Sequence, residues 1–173
     1  LFRSLTTSNL KGFKLQLLVT DFYIDHERLV PVYNLLRRED KILVVHAGTG
    51  PLANEYVGVK HFRRFLEKFG DLKIQVAHLG CFEYAEFFEI LGRTPNMIMD
   101  SAMVLVDHTL FPARFDLDYN ILLDYENQLV FGTDFPNIPY DFEKSYDFLL
   151  KFHFDRSFYE KFFYQNAKKF YRI

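Results

Sequence analysis

Lys41-Ile42-Leu43-Val44-Val45-His46, continued by Ala47-Gly48-Thr49-Gly50-Pro51, is the stretch that decides the fold. It is a short apolar run, rich in β-branched residues, closed by a histidine and a turn signal, which reads as a buried strand of a parallel sheet. Working outward, four more runs share the pattern: Gly12–Leu18, Lys73–His78 followed by Leu79-Gly80, Asn96–Asp100 and Gln128–Asp134. Between them lie stretches with apolar residues at three- and four-residue spacing. Glu27–Arg38 carries Leu29, Val32, Tyr33 and Leu36, and His61–Phe69 carries Phe62, Phe65, Leu66 and Phe69; Glu83–Leu91 and Phe142–Phe152 follow suit. Strands alternating with helices predict a parallel sheet wound through right-handed crossovers.

The repeat length narrows the architecture. Val44 to Val76 spans 32 residues, Val76 to Ile98 spans 22, and Ile98 to Val130 spans 32. A (β/α)8 barrel spends about 31 residues per unit. The 173 residues hold five to six such units rather than eight. Spacing alone admits either part of a barrel or a five-stranded doubly wound sheet.

Composition excludes other classes. The chain is 49% hydrophobic and 25% charged, as a globular domain is, with net charge −2 and a pI near 6.3. No basic excess points to nucleic acid, and no apolar run approaches the ~20 residues of a membrane span. Cys81, the single cysteine, cannot form an intrachain disulfide, and the opening residues show no signal-peptide pattern; a cytoplasmic location is expected. Residues 140–173 contain 13 Phe or Tyr among 34 positions, which predicts a helix packed on the outside of a sheet.

His46, His78 and Asp134 each close an apolar run and precede a turn, which places all three at the carboxyl edge of the sheet, where α/β proteins keep their sites. A lone strand-end histidine is ordinarily a hydrogen-bonded turn residue, so the conjunction carries the reading. Two imidazoles and a carboxylate can ligate a divalent metal, or divide the roles of acid and base. His61 and His153 fall among aromatics in helical segments, His26 lies near a helix start, and His108 follows the fourth strand in a loop that can line a pocket. Gly48-Thr49-Gly50-Pro51 lacks the spacing and lysine of a phosphate loop. Cys81 reads as a small buried hydrophobe.

Val44–Pro51, Val76-Ala77-His78-Leu79-Gly80 and Phe131-Gly132-Thr133-Asp134-Phe135-Pro136, in this order, resemble the amidohydrolase superfamily, and within it the amidohydrolase-2 branch that includes aminocarboxymuconate semialdehyde decarboxylase. Lys11–Leu15 resembles that family's entry into barrel strand four, and Asn166-Ala167 its C-terminal signature. The resemblance implies a (β/α)8 TIM-type barrel, with this chain, residues 1–173 as one domain, covering strands four to eight. It implies that His46 and Asp134 are metal ligands, that Asp134 takes the proton of attacking water, and that His78 is a catalytic residue, a second-metal ligand in some members and a polarising residue in others. The implied cofactor is a divalent metal, zinc first, with manganese or another ion as alternatives.

Two features depart from the family pattern. No His-x-His pair occurs anywhere, and Gln16 stands where many relatives carry His. The first, together with the length and a first residue that is not Met, leads to the expectation that strands one to three lie upstream of Leu1. The implied activity is metal-dependent hydrolysis of a small-molecule amide, ester or lactone. The alternatives are a non-oxidative decarboxylase on the same scaffold, or a non-catalytic half barrel serving binding or assembly. Expected partners are a small-molecule substrate and further copies of the chain, since an open sheet edge invites association.

Overall fold

The structure, a computed structural model, describes residues 9–111 and 115–173. All five apolar runs form strands: β1 (Gly12–Gln16), β2 (Ile42–His46), β3 (Lys73–Val76), β4 (Met97–Asp100) and β5 (Leu129–Val130). They make one sheet in the order β1-β2-β3-β4-β5, with every neighbouring pair parallel. This order chooses between the two architectures. A doubly wound sheet reverses direction at a switch point, whereas each connection here advances one strand the same way, as in a barrel.

The helices are α1 (Val30–Arg38), α2 (Val59–Phe69), α3 (Tyr84–Arg93), α4 (Ile121–Asp124), α5 (Glu143–Leu150), α6 (Arg156–Glu160) and α7 (Asn166–Tyr171); a π-helical turn, Lys161–Gln165, joins the last two. Strand alternation sorts the side chains. Leu43, Val45, Ile74, Val76, Met97 and Met99 are buried in the common core, while Val44, Gln75, Asp100 and Val130 line a cavity. The helices answer the core with rings. Tyr33 of α1 packs on Phe65 and Phe69 of α2 with centroids 5.1 and 4.8 Å apart, and Phe62 reaches Phe87 of α3 at 5.3 Å. Each such fully buried side chain contributes roughly 1.5–3 kcal/mol of transfer free energy.

The aromatic tail packs as the composition predicts. Phe158 and Phe162 are fully buried with ring centroids 5.4 Å apart, and Phe163 meets Phe131 at 5.0 Å. Three strands stop short of their expected ends. β1 ends at Gln16 rather than Leu18, and β3 at Val76 because His78 and Leu79 turn into the left-handed region (φ 58° and 52°). β5 has two residues in place of seven, because the Phe131 amide leaves the ladder for the Phe162 carbonyl at 2.9 Å. No helix among the described residues is long and apolar enough to cross a membrane.

Candidate active site

His46 ends β2, in register with Gln16 of β1. Its Nε2 lies 2.7 Å from the Gly50 carbonyl, which can only accept, so Nε2 carries the proton. Nδ1 is then the lone-pair nitrogen, and it faces Gln16 Nε2 at 3.3 Å. Burial foremost, then the neighbouring His78 imidazole, pushes the His46 pKa down to about 4. His46 is a neutral ring with both nitrogens engaged by protein.

His78 sits two residues past β3. Its backbone amide donates to Asp100 Oδ1 at 3.1 Å, and its Nδ1 lies 2.9 Å from the Ala102 carbonyl. By the same reasoning Nδ1 carries a proton, so that in the neutral ring the lone pair falls on Nε2. The two rings meet edge to face with centroids 4.8 Å apart. Two glycines permit this approach. A Cβ on Gly48 would lie 2.3 Å from the Cys81 carbonyl oxygen, and one on Gly80, whose φ is 76°, would strike the Phe87 ring. The Gly48-Thr49-Gly50 segment therefore lets the loop after β2 cross the turn after β3 at backbone contact.

Asp134 lies four residues beyond β5, itself at φ 58°. Its carboxylate is 3.8 Å from the Lys14 ammonium of β1. His78 and Asp134 share one cavity of about 300 Å³, which Lys14, Gln75, Asp100 and Tyr171 also line. His46 lies on the other side of His78, on a small apolar pocket with Gly50, Cys81 and Phe111. The expected trio is thus a chain of neighbours: His46 against His78, and His78 on the cavity that Asp134 closes.

The donors bear on a metal. His78 Nε2 is a lone-pair nitrogen whose ring is fixed from behind by a carbonyl, the usual setting of a ligating histidine. His46 can ligate by giving up one of its two partners, Gln16 at Nδ1 or, with its proton moved, Gly50 at Nε2. Among the described residues no group of three or more His, Cys, Asp or Glu is arranged to hold a metal ion. The described residues do not by themselves form a complete metal cage.

The other candidates have local roles. His26 accepts the Arg28 amide at 3.1 Å, His61 packs on the Tyr23 ring at 4.7 Å, His108 is exposed on a turn, and His153 follows α5 with φ 51°. Cys81 accepts from the Tyr84 hydroxyl at 3.2 Å, and burial pushes its thiol up to about 11, which keeps it protonated. Sequence reasoning missed Lys14, Gln75 and Tyr171 and read Asp100 only as a strand end. Their signal is alternation: Lys14 is two residues before Gln16, and Gln75 stands between buried Ile74 and Val76.

Comparison with known proteins agrees with this fold. The amidohydrolase family model matches residues 1–173. Among solved structures, an uncharacterized TIM-barrel protein from Bordetella bronchiseptica is 21% identical with TM-score 0.68, over 88% of this chain and 53% of that one. The 5-carboxyvanillate decarboxylase of Novosphingobium aromaticivorans, complexed with manganese and a nitrobenzoic acid, is 16% identical with TM-score 0.66, over 99% of this chain and 59% of that one. A probable 2-pyrone-4,6-dicarboxylic acid hydrolase from Acinetobacter baumannii, with citric acid bound, is 13% identical with TM-score 0.69, over 94% and 64%. This chain thus spans 53% to 64% of the length of these three structures. No curated protein matches the sequence. With its singly wound parallel sheet, its strand-end histidines and a family match across its whole length, the chain belongs to the amidohydrolase family.

Proposed function

We propose that this chain carries the proton-transfer side of a hydrolase site acting on the amide, ester or lactone bond of a small molecule. The observation that supports this is the shared cavity: His78 and Asp134, from separate strands, line one space of about 300 Å³ at the carboxyl ends of the sheet. Asp134 is the base that takes a proton from attacking water. Asp134 then returns that proton to the departing nitrogen or oxygen, while His78, one ring proton spent on Ala102, steadies the oxyanion in the form that also carries a proton at Nε2. Lys14 adds a positive charge beside Asp134.

A divalent ion, zinc foremost, belongs to this reading with His46 and Asp134 as proposed ligands. Its remaining donors have to come from beyond the described residues, and the proton transfers above use only this chain's own groups. Self-association and a cytoplasmic setting belong to the same proposal. Non-oxidative decarboxylation is the second reading. The Lys14 ammonium can hold a substrate carboxylate at the cavity, and a manganese-containing decarboxylase shares the fold.

The test is a turnover screen of the full-length protein that carries this chain, with and without added zinc or manganese, scoring hydrolysis of lactones, esters and amides against CO2 release from aromatic acids. Asp134→Asn and His78→Gln are expected to lower turnover by two or more orders of magnitude, within the range that general acid–base catalysis supplies. His26→Ala and His153→Ala are expected to leave it unchanged. Full activity in Asp134→Asn overturns the hydrolase reading, and CO2 release without hydrolysis replaces it with the second.

A further inference from the structure

We infer that Asp100 is the positioning residue of His78, and that Gln75 and Tyr171 hold Asp100 in the orientation this requires. The part of His78 in turnover rests on the reading above; its fixation follows from geometry alone. His78 and Leu79 are consecutive left-handed residues (φ 58° and 52°), and neither is glycine. L residues rarely adopt this conformation, so bonds from elsewhere must hold it.

Asp100 supplies them. Its Oδ1 accepts the His78 amide and the Ala102 amide, both at 3.1 Å. The Ala102 carbonyl in turn accepts the His78 ring proton at 2.9 Å. One carboxylate oxygen thus clamps both the residue that carries the imidazole and the residue that orients it. Oδ2 accepts from Gln75 Nε2 at 2.8 Å, and Gln75 Oε1 accepts from the Tyr171 hydroxyl. Three N–H groups converge on this strand end, and an ionised carboxylate, which only accepts, is the side chain that matches all three. Asp100 is 6% exposed and His78 7%, so the bonds between them are only weakly screened. An apolar residue would leave two buried amides without partners.

The consequence for His78 is a fixed tautomer. While Asp100 holds Ala102, the ring proton stays on Nδ1 and the lone pair on Nε2, the atom that has to accept a proton at the cavity. Released, the ring samples both tautomers. Tyr171 belongs to the last helix, so the carboxyl end of the chain buttresses a turn formed some 90 residues earlier; the Tyr171–Gln75 bond joins positions 96 apart.

The tautomer is read by long-range 1H–15N spectra of the whole chain, labelled with 15N-histidine and freed of metal by EDTA. The His78 signals are assigned by their loss in His78→Gln. The wild-type chain is expected to show the Nδ1-protonated pattern. Asp100→Asn retains it, since the amide oxygen still accepts both backbone donors and Gln75 can turn its oxygen to the new NH2. Asp100→Ala mixes the tautomers, and Tyr171→Phe does so to a smaller extent. Where turnover is measurable, Asp100→Ala is expected to lower kcat about 10- to 100-fold with KM little changed, as loss of a ligand-orienting partner does. A folded Asp100→Ala chain with the wild-type His78 pattern overturns the proposal, as does Asp100→Asn behaving like Asp100→Ala. Should Asp100→Ala not fold, Tyr171→Phe decides, and an unchanged His78 signal there overturns it. A locked ring in a chain without turnover removes the enzymatic reading and keeps the positioning; turnover with an unlocked ring does the reverse.

Discussion

The Lys14 ammonium lies 3.8 Å from the Asp134 carboxylate, although β1 and β5 are opposite edges of a five-stranded sheet. Four interstrand spacings would separate them by about 19 Å in a flat sheet. Lys14, Val44, Gln75, Asp100 and Val130, one from each strand, line a single cavity, so the sheet is curved as a barrel wall is, and Asp134, four residues past β5, meets Lys14 across its concave face. Lys14 is half exposed, so the pair adds little to stability. Lys14→Met is expected to change the unfolding free energy by less than about 1 kcal/mol in urea titration. A loss of several kcal/mol would show that the pair holds the sheet's curvature.

Glu83 links the loops that carry the two histidines. Both its carboxylate oxygens lie 3.0 Å from the Val59 amide, at the first turn of α2, where unpaired N–H groups and the helix dipole attract an anion. Glu83→Ala is expected to cost about 1 kcal/mol, and Glu83→Gln less, because an amide oxygen still accepts. Equal losses in the two variants, measured by thermal unfolding, would contradict the capping role.

Cys81 supplies a chemical probe of the same region. A thiol at about pKa 11 is roughly a hundredfold less ionised at pH 8 than an ordinary one, and the thiolate is the reactive form. Native protein is expected to react with a disulfide reagent about 100-fold more slowly than protein unfolded in urea. Equal rates would place Cys81 in an open, electropositive setting.

Acid stability is tied to Asp25. The Arg64 guanidinium bonds both its oxygens, at 2.5 and 2.7 Å, and holds its pKa below the usual carboxylate value of 3.8. A depressed folded-state pKa stabilises the protein fully above the unfolded value. That stabilisation is lost as pH falls through the folded value. Asp25→Asn is therefore expected to lower stability at pH 7 and to flatten the loss below about pH 4, so that the two proteins converge in acid. Identical acid limbs in the two proteins would contradict this.

The sheet and the edge that carries His46, His78 and Asp134 were legible in the sequence because each closes an apolar run. Strand order was not, since equal repeat lengths fit two windings until the pairing of β1 through β5 is seen. Nor were Lys14, Gln75 and Asp100 legible as site residues. A polar side chain alternating with buried apolar ones looks the same whether it faces solvent or the hollow of a barrel. The left-handed turn at His78 was hidden for a related reason, because the bonds that hold it come from Asp100, 22 residues later.

The crossing at Gly48 is the most direct mechanical test of the site. His46 binds the Gly50 carbonyl, and the Gly50 amide donates to the Cys81 carbonyl at 2.5 Å, so the loop after β2 rests on the turn after β3. A methyl group at position 48 would sit 2.3 Å from the Cys81 oxygen and 2.4 Å from the Gly80 carbonyl carbon. Both are backbone atoms, so no side chain can swing aside. The loop must lift, and with it the carbonyl that fixes the His46 ring. Gly48→Ala is expected to cost about 1–3 kcal/mol, as overpacking of a filled interior does. It is also expected to disturb the His46 ring while Asp100, on β4, keeps His78 in place. Urea unfolding gives the first quantity, and histidine 15N spectra give the second. A Gly48→Ala chain with wild-type stability and unchanged His46 signals would mean that the two loops are farther apart than the structure places them.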